Sequence, residues 1–408
     1  MSTDVSYLSS DSWTAEMPER LHWLRRHSPV HWSEKDDLFV VTKFADVAEI
    51  SKDQGRFTSA NGVRPGSGVK LALLDESGPR HVQLRRLISR GFTPRMVAKL
   101  EPKFRSIART AIDAVAQRGE CDFVESIATP LPLLLIAEMI GVRRQDRARF
   151  QGWSDDMIAA DGNASNPQRM QRAGLAFAQL AAYVTPILES RRKHPQDDLI
   201  SVLVGAKEEG ILGDLGAGDA PAALGLEDPQ LANDELLMLL VLLLVAGNET
   251  TRNALSGGLA CLIENPGARA QLLASPEKIP AAVEEMLRFV SPIHSFARTA
   301  TRDGVLRDQR IRAGQRLLMI YPSANRDEEV FAEPDRFDVE RGPQHLAFGI
   351  GAHFCLGANL ARMELRVAFE ELLARLPDLA YADAEGAVVR PSALVRSYTR
   401  MRVRFAPS

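Results

Sequence analysis

Along most of the chain, apolar positions recur at helical spacing, and the exceptions are short. The first exception is early: VHWSEKDDLFVVTKF, Val30 to Phe44, holds two runs of β-favouring residues around a charged turn, Glu34 to Asp37, and predicts a hairpin. Ala45 to Lys52 follows as a helix. Thr58 to Gly78 is rich in Gly, Pro and Ser and predicts a long loop, of a length that usually marks a functional segment. Helical patterns then dominate: His81 to Arg90, Arg95 to Arg118, a strongly apolar Pro130 to Ile140, Arg143 to Ala160, Gln168 to Lys193 and Asp198 to Glu208. A turn cluster, Asp161 to Pro167, interrupts them, and Gly205 to Gly225 is a Gly- and Ala-rich excursion.

The longest helix is predicted from Asp234 to Glu264, with Asn233 as N-cap and Asn265-Pro266 as its stop. At 1.5 Å per residue it runs about 45 Å, the width of a whole domain. Its opening, LLMLLVLLLVAG from Leu236 to Gly247, is apolar on every face. That run falls short of the roughly 20 residues a bilayer span requires, so it predicts a helix through the protein centre and no membrane insertion. Ile279 to Val290 is a further helix, stopped by Ser291-Pro292. Phe296 to Leu318 alternates like short strands, Tyr321 to Pro343 has no regular pattern, Leu356 to about Arg375 is helical, and Val388 to Phe405 predicts a strand pair. The expected fold class is mainly α with a smaller β-rich part. With no repeat and no linker that splits the chain, residues 1–408 are expected to form a single domain.

Composition alters this picture little. The chain has 408 residues, 45% hydrophobic and 25% charged, with a net charge of −3, so nothing global draws it to nucleic acid. The opening MSTDVSYLSS has neither a basic n-region nor an apolar h-region, which predicts a cytoplasmic protein. Three cysteines, Cys121, Cys261 and Cys355, form no CxxC pair and support neither a disulfide framework nor a cysteine-rich zinc site. Cys121 and Cys261 read as structural.

Cys355 sits in HLAFGIGAHFCLGANLARMEL, His345 to Leu365, between a glycine-rich bend and a helix start. Backbone N–H groups at a helix N-terminus favour the thiolate. Gly349 and Gly351 allow a sharp turn, Gly357 allows close approach of something flat or bulky, and Phe348 and Phe354 keep water away. Such a thiolate suits a metal held by sulfur. A nucleophilic cysteine with His353 as base is the alternative, but no oxyanion or triad pattern accompanies it.

The run F-G-x-G-x-H-x-C-L-G, Phe348 to Gly357, resembles the haem-ligand loop of the cytochrome P-450 family, the haem-thiolate monooxygenases. Four further segments resemble that family in order. AGNETT, Ala246 to Thr251, is similar to the motif over the distal haem face. There small Ala246 and Gly247 let the helix pass close to a macrocycle, and Glu249 and Thr250 form the acid–alcohol pair that orients dioxygen and relays protons. Glu285 and Arg288 in EEMLR, three apart on one helix face, resemble the family's buried ExxR pair, with Arg336 of EPDRF as the arginine that joins it. His81 and Arg85 in PRHVQLRRL, with Arg298 and His353, resemble the group that holds the two haem propionates. Ser323 to Arg341 resembles the loop before the haem segment of bacterial members.

The resemblance implies a cytochrome P-450 fold with the long helix over a haem b whose iron is ligated by Cys355. It implies a monooxygenase that inserts one oxygen atom of O2 into a lipophilic small molecule, acting as a monomer with electrons from a ferredoxin and its reductase. Arg85, Arg86, Arg362 and Arg366 are the basic residues expected to meet that acidic partner. The Ser59 to Leu74 loop, Leu243, Ala246, Gly247, Ile293, Phe296, Leu394 and Val395 are expected to line the substrate pocket. The segment TSANGVRPGSG is similar to members acting on sterols and branched lipids, while macrolide, terpenoid and fatty-acid substrates stay open. Two other readings share the scaffold: a peroxygenase driven by hydrogen peroxide, and a haem-binding carrier or sensor without turnover.

Overall fold

Local chemistry sets where the helices begin. The Thr93 hydroxyl accepts the Met96 N–H and Pro94 takes the first helical position, so a long helix starts there; Asn166, accepting from the Arg169 N–H ahead of Pro167, does the same. The computed structural model describes residues 3–66, 71–140, 142, 144–159, 166–196, 199–208 and 235–407. In chain order its helices are α1 (Met17–His27), α2 (Phe44–Lys52), α3 (Gly78–Ile88), α4 (Pro94–Ala116), α5 (Pro130–Met139), α6 (Arg147–Ala159), α7 (Pro167–Lys193), α8 (Leu199–Glu208), α9 (Glu235–Glu264), α10 (Pro266–Ala274), α11 (Ile279–Val290), α12 (Tyr321–Ala324) and α13 (Ala358–Arg375). Asn265-Pro266 ends α9 as expected, but Pro266 opens α10 at once, because proline at a first helical position has no N–H to lose. Most of the Gly205 to Gly225 excursion, the Asn233 cap and the core of the Asp161 to Pro167 cluster lie outside the described residues.

The predicted hairpin pairs β1 (Val30–Ser33) with β2 (Leu38–Val41) in antiparallel register, Val30 opposite Val41. β3 (Phe57–Thr58), β5 (Ser295–Ala300) and β8 (Arg316–Ile320) complete a sheet of order β1-β2-β8-β5-β3, in which β2 and β8 run parallel. β6 (Gly304–Leu306) and β7 (Gln309–Ile311) form a separate hairpin. The C-terminal pair β10 (Ala387–Arg390) and β11 (Ser397–Arg404) is extended by β4 (Glu120–Asp122) and β9 (Ala380–Tyr381), both on β11. β3, β4 and β9 are two or three residues long, too short for alternation to show in sequence.

α9 joins two apolar cores. Leu236 to Leu240 and Leu244 pack with α5, α6, α7 and α8, whereas Ala254, Leu255, Leu259 and Leu262 pack with α4, α11 and α13. Leu236–Glu264 is long and apolar enough to cross a membrane, yet 61% of its most hydrophobic window is buried inside the fold. Ala246 to Asn253, the small and polar break, falls where the two cores meet.

Candidate active site

The cysteine loop is shaped before its helix begins. The Cys355 N–H donates to the Phe348 carbonyl at 2.8 Å, closing the loop on itself. Gly349 and Gly351 take φ of +67° and +78°, and a Cβ on Gly351 would sit 2.6 Å from the Ser51 carbonyl oxygen at the end of α2. Around Gly357, by contrast, nothing lies within 4 Å of where a Cβ would stand. The open space there belongs to a cavity with about 1640 Å³ of atom-free volume, mouth included. Cys355, enclosed by protein, exposes its sulfur only because it looks into that cavity. Burial raises its pKa above the ordinary thiol value, and the Gly357 N–H, Arg85 and Arg362 oppose that rise without overcoming it. A bound cation is what would hold the thiolate outright.

The cavity gathers residues from across the sequence. Cys355, His81, Arg85, Arg298, His353, Ala246, Gly247, Thr250, Phe348, Gly349, Gly357, Leu243, Ile293 and Phe296 all line it. His81 and His353 stack with ring centres 4.0 Å apart. Burial first, then Arg298, His81 and Arg85, push the His353 pKa down to about 3; burial and the two arginines also lower that of His81. His353 shares a hydrogen bond with the Ser59 hydroxyl at 3.1 Å, but neither ring nitrogen of buried His81 has a partner. Among the described residues, Arg298 donates to the neighbouring Ala297 carbonyl alone, at 2.8 Å, and Arg85 to the Phe354 carbonyl, at 2.5 Å. Among the described residues no carboxylate lies within ion-pair reach of either arginine.

On α9, the Thr250 hydroxyl donates to the Ala246 carbonyl at 2.5 Å on the cavity side. Glu249 is placed otherwise than expected. Its buried carboxylate accepts from Arg252 at 2.6 Å and Asn253 at 2.9 Å, Arg252 reaches on to Asp155 at 3.0 Å, and Glu249 does not line the cavity. Gly247 lines it, but a Cβ there would meet the Ile136 side chain at 2.5 Å, so its missing side chain makes room for α5. Val395, expected in the pocket wall, is buried and forms a backbone bridge to Ile293, which does reach the cavity. An acid that sequence reasoning missed faces the site instead. Glu364 of α13 is 2% exposed and lines the cavity, and burial pushes its pKa up to about 8 against a hydroxyl donated by Thr251 at 3.4 Å. Its sequence signal was position: a carboxyl on the helix face shared with Leu360 and Ala368.

Behind the loop, Glu285 and Arg288 are fully buried and paired through two bonds of 2.7 and 2.8 Å. Arg336 does not join them. Its guanidinium is exposed and pairs with Glu333 and Asp338, each at 2.8 Å, which satisfy it at the surface. Arg341 takes the place, donating to Glu285 at 3.2 Å. Two of the four basic residues expected to meet an electron donor are also engaged: Arg362 with Glu284, and Arg366 with Glu101 and Glu370. Arg85 turns inward, and Arg86 alone of the four stands exposed.

Residues 277–377 match the family model for cytochrome P-450. Steroid C26-monooxygenase of Mycolicibacterium smegmatis is 36% identical over 391 residues, covering 96% of this chain and 93% of that protein. The chain belongs to the cytochrome P-450 family. Its fold is similar to Mycobacterium marinum CYP268A2 in complex with pseudoionone, with TM-score 0.85, 33% identity, and 99% of each chain covered. It is also similar to Bacillus megaterium CYP109E1 in complex with testosterone, with TM-score 0.83, 30% identity, 97% of this chain and 99% of that one. This P-450 is therefore an oxidoreductase of the monooxygenase class that uses haem b. The cavity fits that cofactor: an unpartnered buried imidazole and two cations without carboxylates among the described residues suit its two propionates, the space beside Gly357 suits its plane, and Cys355 offers a soft ligand of the kind its iron takes.

Proposed function

We propose that this P-450 hydroxylates an uncharged lipophilic molecule of the steroid class, with O2 and with electrons from a ferredoxin and its reductase. The observation that carries the substrate class is the charge inventory of the cavity. Among the described lining residues the cations are Arg85 and Arg298, both taken up by the propionates in this reading, and the one carboxyl is Glu364. No further cation among the described lining residues is left to hold a fatty-acid carboxylate. Leu73, Leu74, Met139, Leu243, Ile293 and Phe296 supply apolar walls that exclude water from a hydrocarbon body. The names of relatives point the same way: a steroid C26-monooxygenase, and a neighbour holding testosterone.

Bound haem supplies activation of dioxygen and transfer of one oxygen atom. The chain's own residues do the rest. Cys355 would ligate the haem iron, with the Gly357 N–H on the sulfur, and His81, His353, Arg298 and Arg85 would hold the propionates. The Thr250 hydroxyl, already turned to the cavity, orients the oxidant, and Glu364 holds a proton at the cavity wall near neutral pH. Glu249, ion-paired to Arg252 and hydrogen-bonded to Asn253, braces α9 behind the cavity wall and is linked through Arg252 to Asp155. The Glu285, Arg288 and Arg341 group locks the segment behind the cysteine loop. The protein acts in the cytoplasm as a monomer.

Titration of the ferric, haem-loaded protein with testosterone, palmitate and a macrolide tests the substrate class. Testosterone is expected to give a saturable low- to high-spin shift. A shift with palmitate and none with testosterone overturns the steroid reading. Turnover that proceeds equally well with hydrogen peroxide and no electron donor overturns the ferredoxin route in favour of the peroxygenase.

A further inference from the structure

A second cavity opens farther along α9. Thr250 and Ala254 line the haem cavity; Gly257 and Cys261, continuing the same helical stripe, line the second, and α11 likewise contributes Leu287 to one and Val290 to the other. The remaining wall comes from the β9–β11 region, including Tyr381 and Tyr398. The second cavity holds about 810 Å³ of atom-free space, mouth included.

Two guanidinium groups face this space with most of their donors unused. Arg326 gives Nε to Asp335 at 3.1 Å and stacks over Phe289, 4.5 Å from the ring centre. Arg396 gives Nε to the Tyr398 hydroxyl at 3.0 Å. Neither makes another side-chain hydrogen bond to the described residues, and no carboxylate among them lies within ion-pair reach of Arg396. Two carboxylates also line the cavity: Glu385 pairs with Arg400, while Glu264 accepts from the Tyr381 hydroxyl at 2.8 Å and acts on Arg396 only through its field, with no direct bond to it. Burial, then Arg396 and Arg288, pull the Arg326 pKa down to about 10, whereas Tyr398 holds that of Arg396 up. Both stay cationic at neutral pH and line the same partly desolvated pocket. Each guanidinium is a planar fork that matches an oxyanion, and the rings of Phe289, Tyr381 and Tyr398 with Val290 offer an apolar surface beside it.

We propose that this second cavity binds a small organic anion, a carboxylate or a phosphate ester, between Arg326 and Arg396. The site is separate from the haem cavity and does not rest on the steroid reading. Isothermal titration calorimetry of the haem-loaded protein with benzoate and with inorganic phosphate, each against sodium chloride at equal ionic strength, tests it. A saturable isotherm near one ligand per chain is expected. Benzoate binding would identify a carboxylate site and phosphate binding a phosphate site. Affinity should fall at least tenfold in Arg396→Gln and in Arg326→Gln. No saturable heat beyond chloride in the unmodified protein overturns the proposal without any variant. So does binding that survives unchanged in whichever of the two variants retains haem and its native circular dichroism.

Discussion

Arg341, not Arg336, should be the arginine whose loss the fold feels. Glu285 has no exposed surface and accepts from Arg288 twice, from the Asp338 N–H at 3.1 Å and from Arg341 at 3.2 Å. Arg341→Ala removes one charge-assisted bond to a buried carboxylate, worth about 1.5–3 kcal/mol. The carbonyls of Ala332, Glu333 and Arg336 that Arg341 also serves lie at exposed contacts, where water replaces it. Arg336→Ala removes two surface ion pairs from a side chain that is 59% exposed, together worth about 0–1 kcal/mol. The gap of about 2 kcal/mol corresponds to about 30-fold in the folding equilibrium. Urea unfolding of the haem-loaded proteins, followed by Soret absorbance and far-ultraviolet circular dichroism, measures it. Glu285→Ala marks the upper end, because it strands Arg288 without a counter-charge at about 3–5 kcal/mol and should prevent recovery of haem-loaded protein. Equal destabilisation by Arg336→Ala and Arg341→Ala would refute the assignment.

Three further outcomes follow from the cavity. Thr250→Ala should lower product formed per electron consumed by about tenfold, the worth of one hydrogen bond, with hydrogen peroxide appearing in its place; unchanged coupling would remove Thr250 from the chemistry. Arg298→Leu should speed haem loss to apomyoglobin by about 10–100-fold, through the lost charge-assisted bond to a propionate; an unchanged rate would place the propionates elsewhere. Glu364 stays protonated in the folded protein up to about pH 8, whereas the unfolded chain ionises it near its ordinary value of about 4.3. Folding therefore binds a proton between those limits, and stability falls as pH rises through them. Glu364→Gln should flatten urea midpoints measured from pH 5 to 8 and gain on the parent toward pH 8, and an unaltered slope would show that Glu364 is not held neutral.

Sequence reading reached the elements that carry a long periodic signal and the site residues that carry a local one. α11 and α13 begin and end, and α9 ends, within a few residues of expectation, because prolines at or next to their ends punctuate them. The cysteine loop was legible because its glycines serve local turns. Arg336 was misassigned because position in a motif says nothing about side-chain direction. Glu333 and Asp338, three residues before and two after, hold its guanidinium at the surface, while Arg341, five residues on, faces the buried carboxylate. The second cavity was invisible for a similar reason: Arg326 and Arg396 lie 70 positions apart in sequence and line one cavity only because the segment after α12 and the C-terminal strands both reach α9.

Glu364 and Glu249, one at the wall of the haem cavity and one behind it, show how helical geometry divides the work. The α9 residues that line it are 242, 243, 246, 247, 250, 251 and 254, a stripe at the i, i+3, i+4 spacing of one face. At about 100° per residue, Glu249, seven residues after Leu242, falls about 20° beyond the edge of that stripe. There it is held by Arg252 and Asn253. To present its carboxylate to the cavity it must give up those bonds, at about 1.5–3 kcal/mol for each that involves a charge. Glu364 comes from α13, faces the cavity already, and is neutral at pH 7 because burial disfavours its charge. It can hold a proton at the reacting side without moving, whereas Glu249 is the carboxylate tied through Arg252 to the partly exposed Asp155. The cavity thus has one carboxyl at its wall and one behind it, with Thr250 and Thr251 on the turn of α9 between them.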